Sequence, residues 1–208
     1  MLSSDQIISW LTITKDRIAA EKEKLNELDA AIGDAEHGIS MDRGFTKVVE
    51  RLSTCTNSDI SGLLKTAGMT LVSSVGGAGG ALFGTFFLRA SAVSSGKSSL
   101  DNDDLVLLLD AGMKGIMDRG KAQPGDKTMI DVLDPAVKAY KKANQDGNDM
   151  KWSMKFALDA AEDGLLSTIP MIAKKGRASY LGERSAGHQD PGATSMLIIL
   201  KALHDTIN

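Results

Sequence analysis

Apolar residues recur three and four positions apart along almost the whole chain, and no convincing stretch alternates in the two-residue rhythm of a half-buried strand. Segments patterned this way bury one side by packing helix against helix. Ile7, Ile8, Trp10, Leu11, Ile18 and Leu25 predict a helix capped by Ser3 or Ser4 and running to about Leu28. Met41, Phe45, Val48, Val49 and Leu52 predict a second over 38–52, and Asp59 caps a third that carries Leu63, Leu64, Ala67, Met69 and Leu71. That helix stops at Gly76-Gly77-Ala78-Gly79-Gly80, where a fourth begins and reaches about Ala92. Asp101 caps a fifth to about Asp118, Asp126 a sixth to about Ala143, and a seventh runs from about Met150 to Ala173, kinked or ended by Pro170. Residues 174–191 read as loop, and a last helix covers Ala193 to Ile207. Leu105 to Leu109 is an apolar run of strand length, but its spacing continues through Ala111, Ile116 and Met117 as helix. The expectation is an all-α fold, one domain over 1–208, with about eight antiparallel helices in up-and-down order.

Composition narrows the function classes. The 208 residues are 42% apolar and 25% charged, ordinary for a soluble globular protein, and carry a net charge of -3, which disfavours a nucleic-acid partner. The single cysteine, Cys55, forms no internal disulfide, so a reducing compartment is expected. Met1-Leu2-Ser3-Ser4-Asp5 has no secretory pattern, and Ala81 to Leu88 is too short to span a bilayer, so the expected location is the cytoplasm, with no membrane partner.

The residues hardest to explain as core or surface lie between helices. In an antiparallel arrangement alternate connections share an end, so 29–38, 76–80, 119–127 and 174–192 are expected to meet at one pole. Asp29, Asp34, Glu36 and His37 have spacings that do not stack on one helical face and are accompanied by Gly33 and Gly38, so they are expected in a turning loop. Carboxylates gathered there repel one another unless a cation neutralises them, and an all-oxygen set suits Mg²⁺; a solvated acidic helix cap is the alternative reading. Gly38 is expected to open a helix whose amides, around Ser40, face an anion. The 76–80 glycines permit close backbone approach to a ligand or, equally, close helix packing. Gly115 to Ala122 nearly matches a phosphate-binding P-loop, but Ala122 stands where Ser or Thr is needed and the preceding run is helical, so that reading is rejected. Lys174, Lys175, Arg177, Tyr180, Arg184, His188 and Asp190 are threaded with glycines, as in a loop folding over an anion or simply an exposed mobile one. No nucleophile stands out, which is compatible with phosphoryl transfer, where positioning and charge neutralisation dominate.

These blocks, taken in order, resemble the L subunits of bacterial phosphotransferase-linked dihydroxyacetone kinases. The resemblance rests on Gly33-Asp34-Ala35-Glu36-His37-Gly38, Met41-Asp42-Arg43-Gly44-Phe45, Ser73 to Gly80, Arg119-Gly120-Lys121-Ala122, Pro124 to Met129, Lys175 to Ser185 and Gly187 to Ala193. It implies an eight-helix antiparallel barrel holding ADP and two Mg²⁺ ions at one end. It also implies a cycle in which a phosphohistidine carrier (M) subunit recharges ADP to ATP, and the γ-phosphate passes to dihydroxyacetone held on a separate K subunit. By motif position, Asp29, Asp34 and Glu36 are the implied metal ligands, and His37, Gly38, Ile39 and Ser40 line the phosphates. Ala78, Gly79, Gly120, Met129, Arg177, Asp190, Pro191 and Gly192 are the implied nucleotide contacts. Glu36, Ser40 and Gly79 depart from the aspartate, asparagine and serine usual in the family. Those departures motivate a second reading, a regulatory module whose nucleotide state controls docking to a protein such as a transcription activator. A third is a free-standing nucleotide hydrolase. The acceptor ketose, the phosphoryl donor and the oligomeric state, a homodimer included, stay open.

Overall fold

The structure, a computed structural model, describes residues 1–55 and 59–207. Its helices are α1 (Ser4–Ala20), α2 (Lys22–Ile32), α3 (His37–Leu52), α4 (Ile60–Ser74), α5 (Gly77–Val93), α6 (Asn102–Gly120), α7 (Ile130–Gln145), α8 (Met150–Ser167) and α9 (Pro191–Thr206). A 3₁₀ helix spans Arg177–Ser185, and two-residue strands β1 (Leu2–Ser3) and β2 (Ser99–Leu100) pair antiparallel.

Each helix from α3 onward packs on the next in sequence, and α9 returns to α1, which itself packs on α3. With α1 and α2 counted as one bent rod, this is a closed ring of eight helices, as expected. Hydrogen bonds between connections fix the up-and-down sense. At one pole β1 meets β2, Gln6 Nε2 donates to the Thr206 carbonyl, and Asn102 Nδ2 donates to the Asn148 carbonyl. The α2–α3, α4–α5, α6–α7 and α8–α9 connections gather at the other pole.

The inward stripes fuse into one main apolar cluster running from Leu2 to Leu203. At its centre Phe87 meets Trp10, Phe45 and Phe86 with ring centroids 5.5, 6.3 and 5.2 Å apart. The Trp10 Nε1–H is buried and donates to the Ile199 carbonyl at 2.9 Å, which seals the α1–α9 seam without an unpaired donor. Glycines set the closest approaches. A Cβ on Gly68 would lie 2.8 Å from the Gly84 carbonyl, and one on Gly164 would lie 2.2 Å from the Asp131 carbonyl, so α4–α5 and α7–α8 touch backbone to backbone. No helix among the described residues is long and apolar enough to cross a membrane.

Several element boundaries differ from the sequence expectation. The first helix does not stop near Leu28: it bends at Glu21, yet the Leu25 N–H still bonds the Glu21 carbonyl, and helix continues to Ile32. Asp29 therefore stands in the last turn of α2 rather than in the loop, and Gly33 ends that helix by donating its N–H to the Asp29 carbonyl. His37, not Gly38, opens α3. Asp126 does not cap α7, which begins three residues beyond Lys127; Asp131 instead turns back and accepts the Thr128 and Gly125 amides. The seventh expected helix ends at Ser167, and the stretch expected as loop contains the 3₁₀ helix.

Candidate functional site

The second pole opens into a two-lobed cleft. Helices α3, α5, α7 and α9 all begin here, so four sets of first-turn amides without intrahelical partners, at the positive ends of four helix dipoles, surround it. The first lobe is a cavity of about 180 Å³ and the second one of about 380 Å³. His37, Ala78, Gly79, Lys175, Gly176 and Asp190 border both.

The smaller lobe is acidic. Asp29, Asp34 and Glu36 line it with Ser40, Arg177 and Pro191. Asp29 is 9% exposed, and its Oδ2 accepts the Glu36 and His37 amides at 3.1 and 3.2 Å, which folds the α2–α3 connection around the carboxylate. Burial, together with a hydrogen bond that the protonated carboxyl donates to the neighbouring Asp34, holds the Asp29 carboxyl above the ordinary carboxylate range. Arg177 forms an ion pair with Asp34. The Glu36 carboxylate makes no hydrogen bond or ion pair among the described residues.

His37 is pinned rather than poised for proton transfer at neutral pH. Its Nε2 lies 2.8 Å from the Ser195 Oγ on α9, its ring centroid is 6.4 Å from that of Phe83, and burial lowers its pKa to about 4, so it is neutral. Asp190 caps α9 by accepting the Ala193 amide at 2.6 Å; burial raises its carboxyl to about 7 despite the nearby Lys127 ammonium.

The larger lobe is less polar. Leu82 and Phe83 of α5, Gly120 at the end of α6, Met129 ahead of α7 and Gly192 on α9 line it with Arg119. A Cβ on Gly120 would press on Leu82 at 3.0 Å, and one on Gly192 on the Met129 methyl at 3.2 Å, so both glycines keep the lobe open. A flat aromatic base suits such a slot, with a charged tail extending into the acidic lobe.

The structure thus brings Asp29, Asp34, Glu36, His37, Ser40, Ala78, Gly79, Gly120, Met129, Arg177, Asp190, Pro191 and Gly192 to one cleft. Two expected residues lie outside it. Gly38 packs on the Lys22 carbonyl, which a Cβ would approach to 2.1 Å, and Ile39 is 49% exposed with its amide on Asn26 Oδ1. Lys127 was not singled out from the sequence, whereas Lys175 was named only as one cation of the glycine-threaded loop and not as a nucleotide contact. Lys175 borders both lobes and forms no ion pair among the described residues.

The donor set fits Mg²⁺ only as an open site. No group of three acidic, histidine or cysteine side chains among the described residues is already arranged to hold a metal. A repelling carboxyl pair, Asp29 with Asp34, and the unpaired Glu36 beside it offer oxygen donors while leaving positions for water and phosphate oxygens, the habit of protein-bound Mg²⁺.

Residues 31–205 match the DAK2 domain family. The chain is 49% identical over 202 residues to the ADP-binding subunit DhaL of PEP-dependent dihydroxyacetone kinase from Escherichia coli (strain K12), covering 97% of this chain and 96% of that one. It is 43% identical over 203 residues to the ADP-binding subunit of PEP-dependent dihydroxyacetone kinase 1 from Listeria innocua, with 97% and 96% covered. The solved dihydroxyacetone kinase of C. freundii superposes with a TM-score of 0.74 at 24% identity, over 98% of this chain and 34% of that chain, a likeness of fold.

Proposed function

The chain belongs to the DAK2 domain family, and from that membership we propose that it is the nucleotide-carrying subunit of a dihydroxyacetone kinase, a phosphotransferase acting in the cytoplasm with separate partner subunits. One observation carries the reading. A cleft with a slot lined by Leu82, Phe83 and Met129 at one end and an acidic, amide-rimmed pocket at the other has the shape and chemistry for an adenine base and a diphosphate held through a divalent cation.

In this reading residues 1–208 act as one ADP-binding domain, and two Mg²⁺ ions are held by Asp29, Asp34 and Glu36. The metal, when bound, supplies charge neutralisation to phosphate oxygens during transfer. The chain does the positioning. His37, neutral and fixed by Ser195, and Ser40 line the phosphate end; Ala78 and Gly79 present the first turn of α5; Gly120, Met129 and Gly192 shape the base slot. Arg177 and Lys175 bring cationic side chains to the rim of the acidic lobe. In this reading phosphoryl groups pass through the nucleotide from the phosphohistidine carrier subunit to dihydroxyacetone on the K subunit.

Calorimetric titration with ADP, with and without millimolar Mg²⁺, tests binding, and reconstitution with K and carrier subunits, each omitted in turn, tests the role. Metal-dependent ADP binding and dihydroxyacetone phosphate formation only in the complete mixture are expected. A chain that fails to bind ADP in Mg²⁺ overturns the reading, and sugar phosphorylation by the chain alone overturns the division of labour.

A further inference from the structure

Lys127 is a lysine buried to 1% exposure, in a left-handed backbone conformation (φ 61°) within the α6–α7 connection. Its Nζ lies 2.7 Å from the Thr168 carbonyl, 3.4 Å from that of Ile169, 3.1 Å from that of Met171 and 2.5 Å from that of His188. An ammonium has three donors, so these acceptors use all of them and leave none for a ligand in the adjoining lobe. The carbonyls are of a particular kind. Those of 168, 169 and 171 follow the end of α8 and that of 188 lies just before α9; Thr168 and Ile169 each accept one backbone amide as well, from Met171 at 3.3 Å and Gly187 at 2.7 Å, whereas the Met171 and His188 carbonyls have no backbone donor among the described residues. One buried cation therefore ties together both feet of the segment 168–188.

That segment is the roof of the cleft. It carries Lys175 and Gly176 over both lobes and Arg177 over the acidic one, and leads directly into Asp190. Its remaining ties are the Gly187 amide to the Ile169 carbonyl at 2.7 Å, the Lys174 amide to the Asp126 carbonyl at 3.1 Å, the Ala173 amide to Ser185 Oγ at 2.8 Å, a small apolar contact of Ala173 and Ala178 with Ile32, and two ion pairs made by exposed side chains, Arg177 with Asp34 and Lys174 with Asp126. Burying an ammonium is costly unless it is fully coordinated, and replacing it leaves a cluster of carbonyls facing one another. We propose that Lys127 is a positioning residue for the nucleotide site: it fixes the 168–188 roof from below, and so sets the affinity for a nucleoside diphosphate that it does not itself touch.

The proposal rests on the nucleotide-site reading above. Its test compares the intact chain with Lys127→Met by hydrogen exchange without ligand and by ADP titration in Mg²⁺. Faster exchange confined to 168–190, with the barrel helices unchanged, and a Kd for ADP raised about ten- to a hundredfold are expected. Unchanged roof exchange, a Kd within twofold of the parent, or acceleration spread over all helices overturns it. If Lys127→Met does not fold, Lys127→Cys in a Cys55→Ser background, aminoethylated while unfolded and then refolded, restores an ammonium of nearly the same reach. Recovery of ADP affinity by the aminoethylated chain, but not by the same chain capped with a neutral alkyl group, supports the proposal; equal affinity of the two overturns it. If the parent chain binds no ADP, the functional reading falls and the affinity claim with it, while the exchange comparison still decides whether Lys127 holds the roof.

Discussion

The His37 ring and the Ser195 hydroxyl, 158 residues apart, meet at 2.8 Å and join the first turn of α3 to the first turns of α9. The imidazole is thereby held against Phe83 at the boundary of the two lobes. Ser195→Ala removes one buried hydrogen bond, worth about 1 kcal/mol in stability. The larger effect is expected on the ligand: a several-fold rise in Kd for ADP, with a changed ¹⁵N signature of the His37 ring. An unchanged titration would show that the imidazole is held well enough by its other contacts.

Asp29 illustrates a site held at some cost to the fold. Burial and Asp34 hold its carboxyl above the ordinary range, so in metal-free protein the charge is a burden. Asn at 29 keeps an oxygen for the Glu36 and His37 amides. Asp29→Asn is therefore expected to leave the melting temperature in EDTA unchanged or raise it by about 2–4 °C, as about 1 kcal/mol does in a chain of this size. The gain in ADP affinity on adding Mg²⁺ should meanwhile shrink about tenfold or more. Scanning fluorimetry and calorimetry read the two effects, and a full metal-dependent gain in the variant would remove Asp29 from the ligand set.

Gly79 borders both lobes, yet nothing there demands glycine. An added Cβ meets only Val75 Cγ1 at 3.6 Å, an ordinary contact, in contrast with Gly80 one position on, whose Cβ would lie 2.3 Å from the Val75 carbonyl. Gly79→Ser is expected to fold at least as well as the parent, because serine suits a helix better than glycine. Its hydroxyl is expected to tighten ADP by about two- to tenfold, the value of one added hydrogen bond. Titration of the variant decides it; weaker binding would mean that the backbone of Gly79 needs the open space.

Asp190 and His37 pull stability in opposite directions with pH. Folded Asp190 keeps its proton up to about 7 against an ordinary value of 3.8. Its contribution is thus full below about pH 4 and lost as pH rises to about 7. Folded His37 titrates at about 4 against 6.5, so the unfolded chain takes up that proton first and stability falls as pH drops from 6.5 to 4. In the parent the two offset each other. Asp190→Asn leaves only the histidine's effect, so the stability of the parent relative to the variant should grow by roughly 4 kcal/mol between pH 7 and pH 4. Urea midpoints across that range test this, and parallel curves would refute it.

The ring of helices was legible because each helix carries its own apolar stripe, and the meeting of alternate connections follows from up-and-down order. What escaped were features that depend on partners distant in sequence. The bend at Glu21 has no glycine or proline to announce it. Asp126 has the composition of a cap, but Asp131 takes the amides instead, since a carboxylate can serve them equally from inside the helix. Gly38 and Ile39 belong to the right motif, yet helical rotation turns them to Lys22 and Asn26 instead of the cleft. Lys127 reads as an ordinary loop lysine until the four carbonyls around it, 41 to 61 residues downstream, are in place.

The pairing of Leu2 with Leu100, and of Gln6 with Thr206, sets both the first strand and the last helical turn at the pole remote from the cleft. An affinity handle, fluorophore or neighbouring polypeptide joined there leaves the mouth clear, so surface immobilisation through that end presents the cleft to solution and to any protein that must reach into it.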